Sequence, residues 1–215
     1  MFRIGKLFYN PSIQRILKST FIYAGGDFLN KAIPFMLIPV LTRFLSTEDY
    51  GILAAFMAIF GIVQIIISMG TTEAIIRGYF DNKKEDFYFS EYVFNGLLIN
   101  FFVFSVIILL WFMSKNLLIK LIPIPFGFQL LIPFLGLFVG VSTIPSKLWV
   151  YMKKPLPFTV FNVSRTLLEV VLSIWLVVFL GFGWDGRVLG IFVGKGLFFI
   201  IGIGALLHSG FLRIS

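Results

Sequence analysis

The feature that most constrains this chain is a succession of apolar stretches, each about 20 residues or longer. They fall at about 19–44, 50–70, 90–113, 127–151, 157–181 and 187–209. A bilayer core is crossed by about 20 apolar residues in a helix, or by much shorter alternating segments in a barrel strand. Only these two architectures satisfy their backbone hydrogen bonds in lipid, and the length of the stretches selects the helix. The expected fold is therefore an all-α membrane protein, a bundle of six transmembrane helices. Composition excludes the soluble alternative. Hydrophobic residues make up 59% of the chain and charged residues only 13%, against roughly 25% charged in soluble domains. With 28 phenylalanines, too little polar surface remains to face water on all sides.

The formal charge of +8 invites a nucleic-acid reading, and the placement of the charges argues against it. Counting loops and the adjoining helix turns, one set of alternating segments holds Arg3, Lys6, Arg15, Lys18, Arg77, Lys83, Lys84, Lys147, Lys153, Lys154 and Arg213, which is eleven. The other set holds Arg43, Lys115, Lys120 and Arg187, which is four. Lys31, Arg165 and Lys195 lie within spans. Positive residues concentrate on the cytoplasmic side of membrane proteins, so both termini are expected in the cytoplasm. Residues 1–18 form a basic segment without acids, and Ile13, Ile16 and Leu17 suggest an amphipathic stretch at the interface rather than a cleavable signal. The lobe occupies 19–209 and a short tail 210–215. The longest connection, about 71–89, has no room for a soluble domain.

Catalytic chemistry finds little to work with. Cysteine is absent and histidine occurs once, at position 208. No phosphate-cradling glycine loop, metal-ligand spacing or nucleophile–base set appears. The chain reads as no enzyme and implies no cofactor or metal, which leaves a channel, a transporter or a membrane scaffold.

The residues that bear on function are polar ones placed where lipid should be, because an ionisable group at mid-bilayer costs about 2.5–3.5 kcal/mol on insertion scales. Asp27, Asn30, Lys31 and Pro34 share one face of the first span. Asn162, Arg165 and Glu169 repeat the pattern in the fifth, and Lys195 sits in the sixth. Two stripes and a lysine suggest a water-accessible cavity. The alternative is pairing at i,i+4 on one helix, Asp27 with Lys31 and Arg165 with Glu169. Gly136 and Gly140, and Gly186, Gly190 and Gly194, have the four-residue spacing of close helix packing. Ser46-Thr47-Glu48-Asp49 offers a helix cap. Pro34 and Pro39 remove backbone donors from the first span, and a bend is expected there.

One stretch is more specific. Leu41-Thr42-Arg43-Phe44-Leu45-Ser46-Thr47-Glu48-Asp49-Tyr50-Gly51 resembles the connection between the first two spans of polysaccharide flippases, the Wzx-type O-antigen transporters of the MATE-like exporter superfamily. The likeness continues through Met69-Gly70 to Glu73-Ala74-Ile75-Ile76-Arg77-Gly78-Tyr79-Phe80, with Gly78 where an aromatic is usual. It extends over about 19–205. Thr42, Arg43, Tyr50, Gly51, Gly70 and Arg77 carry the signature. The resemblance implies one lobe of a two-lobed transporter in the bacterial inner membrane. The cargo would be an undecaprenyl-diphosphate-linked oligosaccharide, moved from the cytoplasmic to the periplasmic leaflet. Partners would be membrane lipids, that lipid-linked oligosaccharide, a second lobe or second copy, and polysaccharide-assembly proteins. Lys31, Asn30, Asn162, Arg165 and Lys195 become candidates for substrate binding, and Asp27 and Glu169 for coupling to an ion gradient. A drug-exporting lobe of the same superfamily and a non-transporting scaffold or remnant are the competing expectations.

Overall fold

The computed structural model describes residues 11–81 and 89–212. Every regular element among them is helical. The order is α1 Pro11–Phe44, α2 Thr47–Ser68, α3 Thr71–Asp81, α4 Phe89–Met113, α5 Lys115–Leu121, α6 Phe126–Gln129, α7 Leu131–Tyr151, α8 Pro155–Ile174 and α9 Trp184–His208. A single π-helical turn, Trp175–Phe179, extends α8. The basic stretch before residue 11, the charge run at 82–88 and the last three residues lie outside the described residues.

Among the described residues, five helical segments are long and apolar enough to cross a membrane: Thr47–Phe80, Phe89–Met113, Phe126–Tyr151, Pro155–Phe179 and Trp184–His208. This differs from the six expected. The long α1 is not among them, because Asp27, Asn30 and Lys31 interrupt its apolar character. It runs unbroken through Pro34 and Pro39. A second difference concerns the connection after the second span. Residues 71–81 are not loop but the amphipathic helix α3, whose Ile75 and Ile76 are buried. Its apolar residues pack on Val93 and Leu97 of α4 and Leu137 and Val141 of α7.

The joints follow from local chemistry. Ser46 Oγ accepts from the Asp49 amide at 3.1 Å, and Asp49 Oδ2 accepts from the Ser46 amide at 2.9 Å. This reciprocal cap starts α2 directly after α1 ends. Between α2 and α3 the backbone turns through Met69 at φ 38° and Gly70 at φ 71°, a left-handed region where glycine alone is unstrained. Thr71 Oγ1 then donates to Ser68 O at 2.7 Å and lies 2.8 Å from the buried Asn100 side chain of α4, fixing the joint to the bundle.

Helix α7 is the hub. Its most apolar window is 56% buried, against 17–33% for the other four candidate spans. It packs on α2, α4, α8 and α9. Gly136 abuts Gln64 and Ile67 of α2, where an added Cβ would lie 3.3 Å from backbone. The buried core joins Phe56, Phe60, Val63 and Ile67 of α2 to Ile132 and Leu135 of α7 and to Val188 and Ile191 of α9. Helix α1 packs on α8, and Leu37, Leu41 and Leu45 pack against Val170 and Val177. The outward faces carry exposed Phe21, Phe35, Met36, Phe102 and Phe179. Such surface suits lipid contact and would be untenable in water.

Candidate functional site

The candidate site lies on the seams that α8 makes with α1 and α9. Close approach of α8 and α9 is a consequence of glycine. A Cβ on Gly190 would sit 2.8 Å from the Ser173 backbone nitrogen, and one on Gly194 would sit 3.2 Å from Glu169 Cα. The four-residue glycine spacing is thus a contact face, as its pattern suggests. With the backbones this near, side chains of α9 reach α8. Lys195 Nζ donates to Glu169 Oε1 at 3.1 Å, and Arg165 Nε lies 3.9 Å from the same oxygen. The three side chains keep only 14–22% of their exposure. Arg187 Nη1 donates to Ser173 Oγ at 2.6 Å, and that hydroxyl donates in turn to Glu169 O at 2.6 Å. Phe60 of α2 closes the site, its ring 6.0 Å from the Lys195 ammonium.

Three cations, Arg165, Arg187 and Lys195, therefore gather about one carboxylate, Glu169. Ionised, the group has a formal charge of +2 (three minus one) in a setting largely removed from water. Unmatched positive charge held at low dielectric attracts an anion strongly.

The α1 stripe meets the same seam along one flank. Gly26 faces Thr159, Thr159 Oγ1 donates to Ile22 O at 3.2 Å, and Thr166 Oγ1 donates to Asn30 Oδ1 at 2.9 Å. These contacts rise together along both chains, so α1 and α8 run parallel. Tyr23 touches Phe158 edge-on, with ring centroids 5.4 Å apart. Tyr23, Asp27 and Lys31 form one i,i+4 row, and Phe158 and Arg165 are two turns apart on one row. The Tyr23–Phe158 contact puts these two rows on the same side of the seam. Exposed Asp27 and Lys31 and half-buried Arg165 thus lie on the same flank of the seam, and Glu169, Lys195 and Arg187 lie on the α9 side of α8.

The expected residues separate into groups. Arg165, Glu169 and Lys195 come together directly. Asp27 and Lys31 are exposed on the flank, and no ion pair joins them among the described residues. Asn30 is occupied with Thr166. Asn162 is buried, donating to Ser146 Oγ at 2.7 Å and Phe158 O at 2.9 Å, so it ties α8 to α7 and has no free donor for a ligand. The signature residues lie elsewhere. Thr42 Oγ1 donates to Pro39 O at 2.9 Å, and the Tyr50 hydroxyl lies 3.5 Å from Ile38 O. Arg43, Gly51 and Arg77 are at the surface or in open space, and Gly70 makes the α2–α3 turn. The sequence reading counted Arg187 only among the loop and end-turn cations, at the start of the sixth span, and missed Ser173. The signal was present, since Arg187, Gly190 and Gly194 recur at i, i+3 and i+7.

Comparison with known proteins places this geometry in context. A family model described as "Polysaccharide biosynthesis protein" matches residues 16–211, nearly the whole chain. The chain is 35% identical over 66 residues to Lsg locus putative protein 1 of Haemophilus influenzae. That stretch covers 31% of this chain and 16% of the relative, so this chain is about half as long as the relative. No solved structure matches it.

Proposed function

Because the chain belongs to the polysaccharide biosynthesis protein family, we propose that it is a lobe of a transporter that moves a lipid-linked oligosaccharide across the bacterial inner membrane. The cargo we propose is an undecaprenyl-diphosphate-linked glycan unit, carried from the cytoplasmic to the periplasmic leaflet. The observation that carries this reading is the excess of cations on the α8 seam, where Arg165, Arg187 and Lys195 surround Glu169 alone. A diphosphate arriving along the flank would meet Lys31 first and Arg165 next. Charge-assisted hydrogen bonds from these groups would replace the water that the head group loses. Asp27, exposed beside Lys31, and Glu169, held by its cations, are the groups we assign to ion coupling. A cationic cargo is disfavoured, since carboxylates are outnumbered at the seam.

The test is export of lipid-linked glycan by the complete transporter. Arg165→Ala or Lys31→Ala should reduce it about tenfold or more, the loss expected when one charged hydrogen bond of about 1.5–3 kcal/mol is removed. Lys31→Arg should keep most of it. Export at the normal rate in both alanine variants would remove the assignment.

A further inference from the structure

On the opposite flank of the α1–α8 seam lies a groove of about 310 Å³. It falls at the low end of the 300–1,000 Å³ typical of small-molecule sites. Its walls are Ile22 of α1 with Pro155, Leu156 and Pro157, the first turn of α8, and Lys18 and Lys154 stand at its edge. No carboxylate lines it, and neither lysine is in an ion pair among the described residues. The separation from the polar flank follows from helical geometry. Lys18 lies nine residues before Asp27, two and a half turns, so the two point to opposite sides of α1.

We propose that this groove holds an anionic phospholipid of the surrounding leaflet, its phosphate between Lys18 and Lys154 and its glycerol and upper acyl chain against Ile22, Leu156 and the prolines. The chemistry is complementary in both parts. Lys154 at the start of α8 and Lys18 on α1, two ammonium groups with no ion pair among the described residues, line the groove together with its apolar walls, the combination that suits an anionic lipid head group above its acyl chain. The first turn of α8 has no side-chain cap, so its positive dipole end adds to the two charges. The occupant bridges α1 to α8 at the level where Thr159 Oγ1 meets Ile22 O. An anionic lipid thus fastens α1 to the bundle.

The test uses the full chain in detergent, delipidated and then supplied with phosphatidylglycerol or phosphatidylcholine. Phosphatidylglycerol should raise Tm by about 5–10 °C over phosphatidylcholine, the size set by saturating binding to a chain of this length. The double variant Lys18→Gln/Lys154→Gln should lose most of that rise, while Lys115→Gln/Lys120→Gln, both in α5, should keep it. Native mass spectrometry should find phosphatidylglycerol retained by the wild type and shed by the Lys18/Lys154 variant. An equal rise or equal retention in that variant overturns the proposal. So does stabilisation by farnesyl diphosphate without any by phosphatidylglycerol, which would assign the groove to a polyprenyl diphosphate instead.

Discussion

Lys195 donates to Glu169 at 3.1 Å across the α8–α9 seam, and both side chains are about 15% exposed. Neither is tolerable there alone. Removing one partner of a buried pair leaves an uncompensated charge and costs about 3–5 kcal/mol. Glu169→Gln should therefore lower Tm sharply, because it strands three cations. Lys195→Met should cost less, since Arg165 remains beside the carboxylate. Tm measured in detergent for both variants checks the order, and a Glu169→Gln protein as stable as the wild type contradicts it.

The glycines of α9 make a packing prediction. A Cβ on Gly190 would come within 3.0 Å of three Ser173 atoms, two of them backbone. The helices must separate to admit it, at the cost of about 1–3 kcal/mol typical of overpacking. Gly190→Ala should destabilise the protein, whereas Gly204→Ala, in open space on the same helix, should be neutral or slightly stabilising. Comparing their melting temperatures decides the matter.

Asn162 separates structure from ligand binding. Its amide is committed to Ser146 and Phe158, and interhelical hydrogen bonds of this kind contribute about 0.6–1.7 kcal/mol in membrane bundles. Asn162→Ala should lower stability by that amount while leaving the glycan-lipid affinity of the folded protein unchanged. A selective loss of affinity, with Tm preserved, would return Asn162 to the binding groups.

The corner between α1 and α2 depends on Ser46 and Asp49. Ser46→Ala removes one half of the reciprocal cap and should cost about 1 kcal/mol. Ser46→Asn should restore most of it. Hydrogen exchange at the first amides of α2 reports the change directly.

Much of this architecture is legible in the chain. Uninterrupted apolar length announces the spans, the four-residue glycine repeat announces the α8–α9 contact, and Ser46-Thr47-Glu48-Asp49 announces the cap. What stays hidden depends on partners distant in sequence. Lys195 has no acid within a turn of it on its own helix, and Glu169, 26 positions earlier, becomes its partner only once Gly194 lets the helices meet. Asn162 looks like a ligand group until Ser146 is placed opposite. Helix α3 is concealed for another reason, because Glu73, Arg77 and Asp81 give it the polarity of a loop while Ile75 and Ile76 anchor it.

Helix α1 packs on α8, and the ties between them span 136 and 137 residues, from Asn30 to Thr166 and from Ile22 to Thr159. During synthesis the first helix is therefore finished long before its seat exists. At about 5–20 residues per second, the interval is roughly 7–30 s. Through it the nascent α1 must hold Asp27 and Lys31 without the neighbour that later covers Asn30. The first helix thus waits for α8 before it can dock, and that wait is the step at which a slow ribosome or a crowded translocon would be felt.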